Sequence, residues 1–577
     1  MTGSTRNDSR FISPPIDLPL EFVFDFHYKE NPNHSAFTYP TKDDKRLRTC
    51  TYKEFIPAVH RAGQAISNSI GLQRSKSTAV FPVVVVILKT DTVTYMTVLA
   101  GLLRAGYTAF PISPRFSPIV VAHLLKESRP VAIVVDTTTK DLANQALTGS
   151  TDGYKPLLCE LPPFSVLYSK DDTYISLPRH DRKPEDISII THSSSSSAIF
   201  PKVISWSSSA VTHHGEIKGM VALQHAVSGA NEEPDMPVHQ LAGQILGCFA
   251  LELFHSFGMA MFFMTIRRGC VMGVMDPAEP TSILPADMND VFQCFERTQP
   301  DFLMSNARAV ELWAEDPKKV LALSNSPTKI FYGGRFLNKG VGNSLVRYGV
   351  KLCSSYGGTE CGPITILPHF QGEDWEYWTV YPRPDINFIS RGDGLAELIV
   401  VPTDEPNYLG ATNTTWKGKP AYNPGDLFFP HPTKPHTYKM FGRSADQILL
   451  ATGESINPVE IAVESELIRH SLISNAIMFG HSRFKVGVVI EPVWMQGSVQ
   501  ANNMSEKIFI DEIWPAIQEI NLTSPSYANI SRNMIIVADS KKPISISAKG
   551  LPRRPVVWLH YQDEIDALYV ADLRVPR

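Results

Sequence analysis

Runs of β-branched and aliphatic residues alternate with longer segments whose apolar positions recur at helical spacing. Phe81 to Leu88 (FPVVVVIL) is apolar without a break, which predicts a strand buried on both faces. Thr92 to Arg104 predicts a helix that ends before Gly106, and Thr108 to Ile112 a second strand. Ser117 to Glu127 predicts a further helix and Val131 to Val135 a further strand. Such alternation argues for parallel βαβ layers. A second α/β region is expected from about Ser188 to Leu367, including a strand end at Val350 to Leu352. From about Trp378 to Met440 the pattern changes to short strands broken by Pro and Gly, which predicts a small β subdomain. Past Gly442 to Asp446, Asn457, Pro458 and Glu460 carry helix-start signals, and Val459, Val463 and Leu467 fall on one face. Strands follow at Asn475 to Phe479 and Val486 to Ile490.

The fold expected is therefore α/β. A large N-terminal domain (21–442), built of two βα-layered subdomains and the β subdomain (about 378–440), precedes a small α+β C-terminal domain (443–577). Residues 1–20 are expected to form a flexible tail, disordered or loosely docked. A chain of 577 residues exceeds what one core organises.

Charge narrows the function classes. A net charge of −4 leaves no basic footprint for nucleic acid or an anionic membrane surface. Leu241 to Ile266 approaches membrane-spanning length, but Gln244, Glu252 and His255 interrupt it, so a buried helix and loop is expected. Met1 to Pro15 has no apolar signal core, and the seven cysteines form no CxxC pair or zinc spacing. Both features point to a cytoplasmic protein with reduced thiols.

The candidate chemistry lies in an ordered set of segments. Ala105 to Pro114 closes a helix and opens a strand. Thr191-His192 runs through Ser193, Ser194, Ser195, Ser196 and Ser197 to Pro201-Lys202. Tyr332-Gly333-Gly334 follows, then Ser354-Ser355-Tyr356-Gly357-Gly358-Thr359-Glu360-Cys361-Gly362-Pro363. Tyr422-Asn423-Pro424-Gly425-Asp426 precedes Gly442-Arg443, and Ser547-Ala548-Lys549-Gly550 stands near the end. An aromatic face, bare glycine backbone, a hydroxyl and a carboxylate at a strand-to-loop junction suit a nucleotide and a hard cation.

Over about residues 20 to 570 this order and spacing resembles the adenylate-forming superfamily of acyl-CoA synthetases, luciferases and nonribosomal peptide synthetase (NRPS) adenylation domains. It is most similar to fungal NRPS-like enzymes that activate non-amino carboxylic acids. The resemblance implies ATP- and Mg²⁺-dependent conversion of an aryl or aliphatic carboxylic acid to acyl-AMP. Transfer to a thiol, of CoA or of a phosphopantetheine carrier protein in trans, would follow, in fungal secondary metabolism. It further implies that Tyr356 stacks on adenine beside Gly333, Gly334 and Gly357, that Thr359 donates to phosphate, and that Glu360 holds Mg²⁺. Asp426 would bind the ribose hydroxyls with Arg443 nearby. Ser194 to Ser197 and Lys202 would hold pyrophosphate. Lys549, on a mobile C-terminal lid, would bridge carboxylate and phosphate, with Arg553 or Arg554 as substitutes. His255, Phe257 and Gly258 would face the acid. His255 stands where amino-acid-activating relatives carry an Asp, so a non-amino acid is implied.

Departures leave a second reading open. Ser196 and Ile199 stand where the superfamily has glycines, Ala198 replaces a hydroxyl residue, and Ala445 sits at the hinge. A β-branched residue resists φ > 0, so pyrophosphate binding is either weakened or remodelled, or the loop works normally. The alternative is a catalytically impaired relative that binds a ligand or partner. The chain ends at Arg577 without a carrier, reductase or thioesterase domain, so an acceptor elsewhere is expected.

Overall fold

The computed structural model describes all residues except 1–10, 42–45, 72–80, 149–154, 170–173, 193–199, 217–240, 279–286, 335–336, 366–371, 381–383, 393, 403–407, 444–446, 451–454, 457, 459–462, 482, 494–503, 547–551 and 574–577. The expectations for Ser193 to Ile199, Ala445, Asn457, Val459, Glu460 and Lys549 lie outside the described residues.

Two predominantly parallel sheets carry the N-terminal part. In the first, the strands run in the order Leu157–Glu160, Ala132–Val135, Val83–Ile87, Thr108–Pro111, Ile187–His192, Val203–Ser207, antiparallel only at the last pair. In the second the order is Lys351–Ser354, Lys329–Gly333, Phe302–Asn306, Ile245–Gly247, Val271–Gly273, Ser35–Pro40, Leu47–Thr51. The helix Thr92–Arg104 has the predicted bounds. Asp91 caps it by accepting from the Thr94 N–H, and all of its residues are buried. It crosses the helix Tyr52–Ile70 closely at Gly63 and Gly101, where a Cβ on Gly63 would stand 2.6 Å from the Gly101 carbonyl. Its last residue, Arg104, is 1 % exposed, and its guanidinium is matched by Asp25 and the carbonyls of Leu177 and Pro178.

One expectation is corrected. Ile187–His192 does not open the second α/β region, because Ile189 pairs with Ala109 in the first sheet. Of the two forms expected for the tail, its described part is docked: Ile12 exchanges two hydrogen bonds with the Asn31 side chain, and Arg267 donates to the Pro15 carbonyl. The Phe11 ring lies 4.8 Å from the His34 ring and sits over Gly269, so residues 11–19 are anchored by contacts that no tail composition reveals.

The β subdomain is a five-stranded antiparallel sheet in the order Trp378–Thr379, Thr437–Arg443, Asp426–Pro430, Leu395–Val400, Ile386–Gly392. The C-terminal part pairs Ile473–Phe479, Gly487–Pro492 and Ile535–Val537 against the helices Glu506–Thr523 and Arg554–His560. Two buried clusters, around Phe509 and around Tyr561, give this part a core of its own.

Candidate active site

The strands Lys329–Gly333 and Lys351–Ser354 are parallel neighbours, so the segments that follow them emerge side by side. Ser355 seals the junction, its N–H and hydroxyl both donating to the Tyr332 carbonyl at 2.9 Å. A Cβ on Gly333 would stand 2.7 Å from the Ser355 Oγ, and Gly334 has φ +83°. Glycine at both positions leaves bare backbone on the wall of a cavity. The next turn doubles back as a short hairpin, Gly357 opposite Pro363 and Gly358 opposite Gly362, with Gly362 at φ +72°.

Tyr356 stands at the root of this hairpin. One face of its ring stacks on Trp378, at 5.2 Å and 5°, while the ring also lines the cavity. Its hydroxyl donates to Asp426 Oδ2 at 2.6 Å. Burial, and then the Asp426 charge, hold the phenol well above its ordinary pKa. Asp426 and Arg443 are register partners on adjacent strands, with Nε 3.3 Å from Oδ1. Both Asp426 oxygens thus already face a protein group.

Thr359 and Glu360 sit at the hairpin tip. The Thr359 hydroxyl is 3.2 Å from that of Ser256, and its carbonyl accepts from the Trp206 indole at 2.8 Å. The Glu360 carbonyl accepts from the Gly410 N–H. Burial raises the pKa of Tyr422, and the neighbouring Glu360 charge adds to the effect. Among the described residues, no group of three His, Cys, Asp or Glu side chains comes together to hold a metal. A Mg²⁺ ion held by Glu360 would therefore depend on oxygens of its ligand, which suits this ion's preference for one carboxylate plus phosphates.

The cavity encloses about 820 Å³, its open mouth included. Away from the glycines its wall is apolar, formed by Phe257, Ala260, Met261, Met264, Met304 and Phe331. Among the described residues, none that lines it is acidic or cationic.

The predicted acid-facing residues divide. Phe257 is on the wall. His255 is not: it lies 3.4 Å from Glu252, a carboxylate also engaged by Arg115. Gly258 packs away from the cavity, where a Cβ would stand 2.5 Å from the Glu252 carbonyl. Lys202 is exposed just before Val203–Ser207, whose pairing with Ile187–His192 brackets the serine run. Of the substitutes for Lys549, Arg554 is committed elsewhere, donating to both oxygens of Glu464 at 2.5 and 2.8 Å. Sequence reasoning missed Trp206, His214, Met261, Met264 and Met304. The methionines fall in apolar runs indistinguishable from core, and no motif marks His214.

The family model described as AMP-binding enzyme matches residues 24–385, and that described as AMP-binding enzyme C-terminal domain matches 445–572. The chain belongs to the AMP-binding enzyme family. It is 32% identical to the adenylate-forming reductase Nps10 of Heterobasidion annosum over 98% of this chain and 51% of that protein. Its fold resembles the A domain of a carboxylic acid reductase from Segniliparus rugosus in complex with AMP and a co-purified carboxylic acid. That match has TM-score 0.66 and 15% identity, covering 96% of this chain and 94% of that one. It also resembles the O-succinylbenzoate coenzyme A synthetase of Bacillus subtilis in complex with ATP and magnesium ion (TM-score 0.64, 15% identity, 94% and 99% covered). The chain spans about half the length of the curated relatives it matches. Among the described residues of this AMP-binding family member, no helix is long and apolar enough to cross a membrane.

Proposed function

We propose that the protein activates a non-amino carboxylic acid with ATP and Mg²⁺ to give acyl-AMP and pyrophosphate. The observation that carries this reading is the continuity of one cavity, from bare backbone at Gly333 and Gly334 and the Tyr356 ring to an apolar wall of Met261, Met264 and Met304. Such a cavity suits a nucleotide at one end and the body of an acid at the other. The carboxylate oxygen attacks the α-phosphorus, the bond to the β-phosphate breaks, and pyrophosphate leaves. Holding the two reactants in line supplies much of the rate.

In this reading Tyr356 carries the adenine on its cavity face, Asp426 and Arg443 orient the ribose, and Thr359 donates to a phosphate oxygen. Glu360 holds Mg²⁺, which neutralises phosphate charge when bound. Ser194 to Ser197 and Lys202 bind pyrophosphate, and Lys549 bridges the reacting groups. The absence of an acidic side chain from the described lining residues favours an acid without an ammonium group, since a buried cation needs a partner.

The acyl group then passes to a thiol of CoA or of a carrier protein, with AMP leaving. The naming of Nps10 as an adenylate-forming reductase favours a carrier, from which a reductase would take the acyl group. Pyrophosphate release across a panel of aryl and aliphatic acids tests the first step, and thioester formation with CoA against an added carrier domain tests the second. Failure of every acid to release pyrophosphate, with ATP bound, would overturn the reading in favour of a binding protein.

A further inference from the structure

His214 lies in the last turn of the helix Ser208–Glu216 and is 1 % exposed. Its ring packs edge-on to Trp206 at 4.6 Å, and its Nε2–Cδ2 edge faces Gly362. A Cβ on Gly362 would stand 2.3 to 2.4 Å from those atoms. Both residues line the cavity. Among the described residues, neither Nδ1 nor Nε2 has a hydrogen-bond partner. Burial drives the ring's pKa down to about 3, so at neutral pH it is an uncharged imidazole with one donor and one acceptor.

The other polar side chains on that wall are occupied. The Trp206 indole donates to Thr359, Ser256 pairs with Thr359, Ser355 donates to Tyr332, Tyr356 donates to Asp426, and Thr365 bonds the Tyr356 backbone. A buried polar group without a partner is destabilising, so its persistence calls for an explanation. The helix bearing His214 touches the helix Ser256–Arg268 at Gly215, beside Phe263 and Arg267, and that second helix supplies Met261 and Met264. The imidazole thus lines the cavity beside Gly362, on a helix packed against the one that carries those methionines.

We infer that His214 is a specificity-determining residue that hydrogen-bonds an uncharged hydroxyl substituent on an otherwise apolar carboxylic acid. This rests on the adenylate-forming reading of the cavity. A charged substituent is disfavoured, because among the described residues no lining side chain carries an opposite charge. A hydroxyl satisfies either nitrogen, as donor or as acceptor.

The test uses matched acids: benzoate against 2-, 3- and 4-hydroxybenzoate, cinnamate against 4-hydroxycinnamate, and octanoate against 8-hydroxyoctanoate. Binding to the full chain is measured by calorimetry, and pyrophosphate release is measured separately. At least one hydroxylated acid should bind roughly tenfold or more tightly than its parent. The ratio should collapse to within about threefold in His214→Phe and be partly kept in His214→Gln. If His214→Phe fails to fold by its melting curve, His214→Leu replaces it. Equal binding of every pair, a preference that survives loss of the imidazole, or no binding of any hydroxylated acid would overturn the inference. Preference without pyrophosphate release would sink the proposed reaction and leave this inference standing.

Discussion

Tyr356 and Asp426 are 70 residues apart in the chain and 2.6 Å apart at phenol and carboxylate. The contact ties the Gly-rich hairpin to the β subdomain, and Arg443 approaches the other oxygen of the same carboxylate. Asp426 is 5 % exposed, so these partners offset the cost of burying its carboxylate. Replacing it with Ala should remove the carboxylate that Arg443 and Tyr356 share and, in the proposed reading, the group that orients the ribose. We expect ATP affinity by calorimetry to fall at least about tenfold. Tyr356→Phe keeps the ring and frees Oδ2, so ATP affinity should change by no more than about threefold, as for one neutral hydrogen bond. A tenfold loss in Tyr356→Phe would mean that the hydroxyl itself holds the nucleotide.

Gly258 makes a second prediction, about shape. A Cβ there meets the Glu252 carbonyl oxygen at 2.5 Å and its carbon at 3.0 Å, both backbone atoms that cannot swing aside. Gly258→Ala should therefore cost about 1–3 kcal/mol through overpacking. The strain falls on the segment that carries Ser256 and Phe257 to the cavity, so kcat/KM for the acid should drop more than KM for ATP. An unchanged melting temperature would show that the loop yields freely.

Local signals were legible where local chemistry decides. Gly106 marks the end of the helix Thr92–Arg104, as the sequence reading has it, whereas the Asp91 cap at its start emerges from the structure. The glycines at 333, 334 and 362 were visible, and the structure gives each a steric or φ reason. Sheet membership was not legible for Ile187–His192, because its length and apolar content suit either sheet and only tertiary pairing chooses. His214 escaped for a related reason. A histidine beside another in a helix reads as surface, and only the approach of Gly362 and Trp206 buries it. Met261 and Met264 read as core because a pocket for an apolar ligand has the composition of a core.

Buried histidines predict a pH response. His27 is fully buried between α-helical segments, its ring bonded to the Ile266 carbonyl and to Asn31, with Arg267 and His34 as the charged or titratable neighbours. Burial, with those neighbours, lowers its pKa from 6.5 to about 3. Below pH 6.5 the unfolded chain takes up a proton that the folded chain refuses. Its contribution to stability is thus complete above pH 6.5 and is lost as pH falls toward 3. Glu21, whose pKa burial raises, acts in the opposite sense, so the wild-type slope alone is ambiguous. The difference between wild type and His27→Gln isolates the term. In urea unfolding, wild type should lose about 1.4 kcal/mol more per pH unit than His27→Gln between pH 6 and 4.5. A difference independent of pH would show that the His27 ring charges in the folded state.

Lys549 and Arg554 separate chemistry from folding in the C-terminal part. Arg554 is 7 % exposed and engages both oxygens of Glu464, whose Oε1 also accepts the Met478 N–H at 2.6 Å. Removing one partner of such a pair strands a buried charge and costs about 3–5 kcal/mol. Arg554→Ala should therefore loosen the C-terminal part, visible as faster proteolysis there, and lose activity by that route. Lys549 has a different expectation. If it meets charge that develops only in the transition state, Lys549→Ala should lower the rate of pyrophosphate release by about 10² or more. ATP affinity, melting temperature and proteolytic pattern should stay near wild type, because none of them depends on the transition state. Full activity in Lys549→Ala would remove the lysine from the mechanism. Arg553 would then be next to test, because the Glu464 pairing already commits its neighbour.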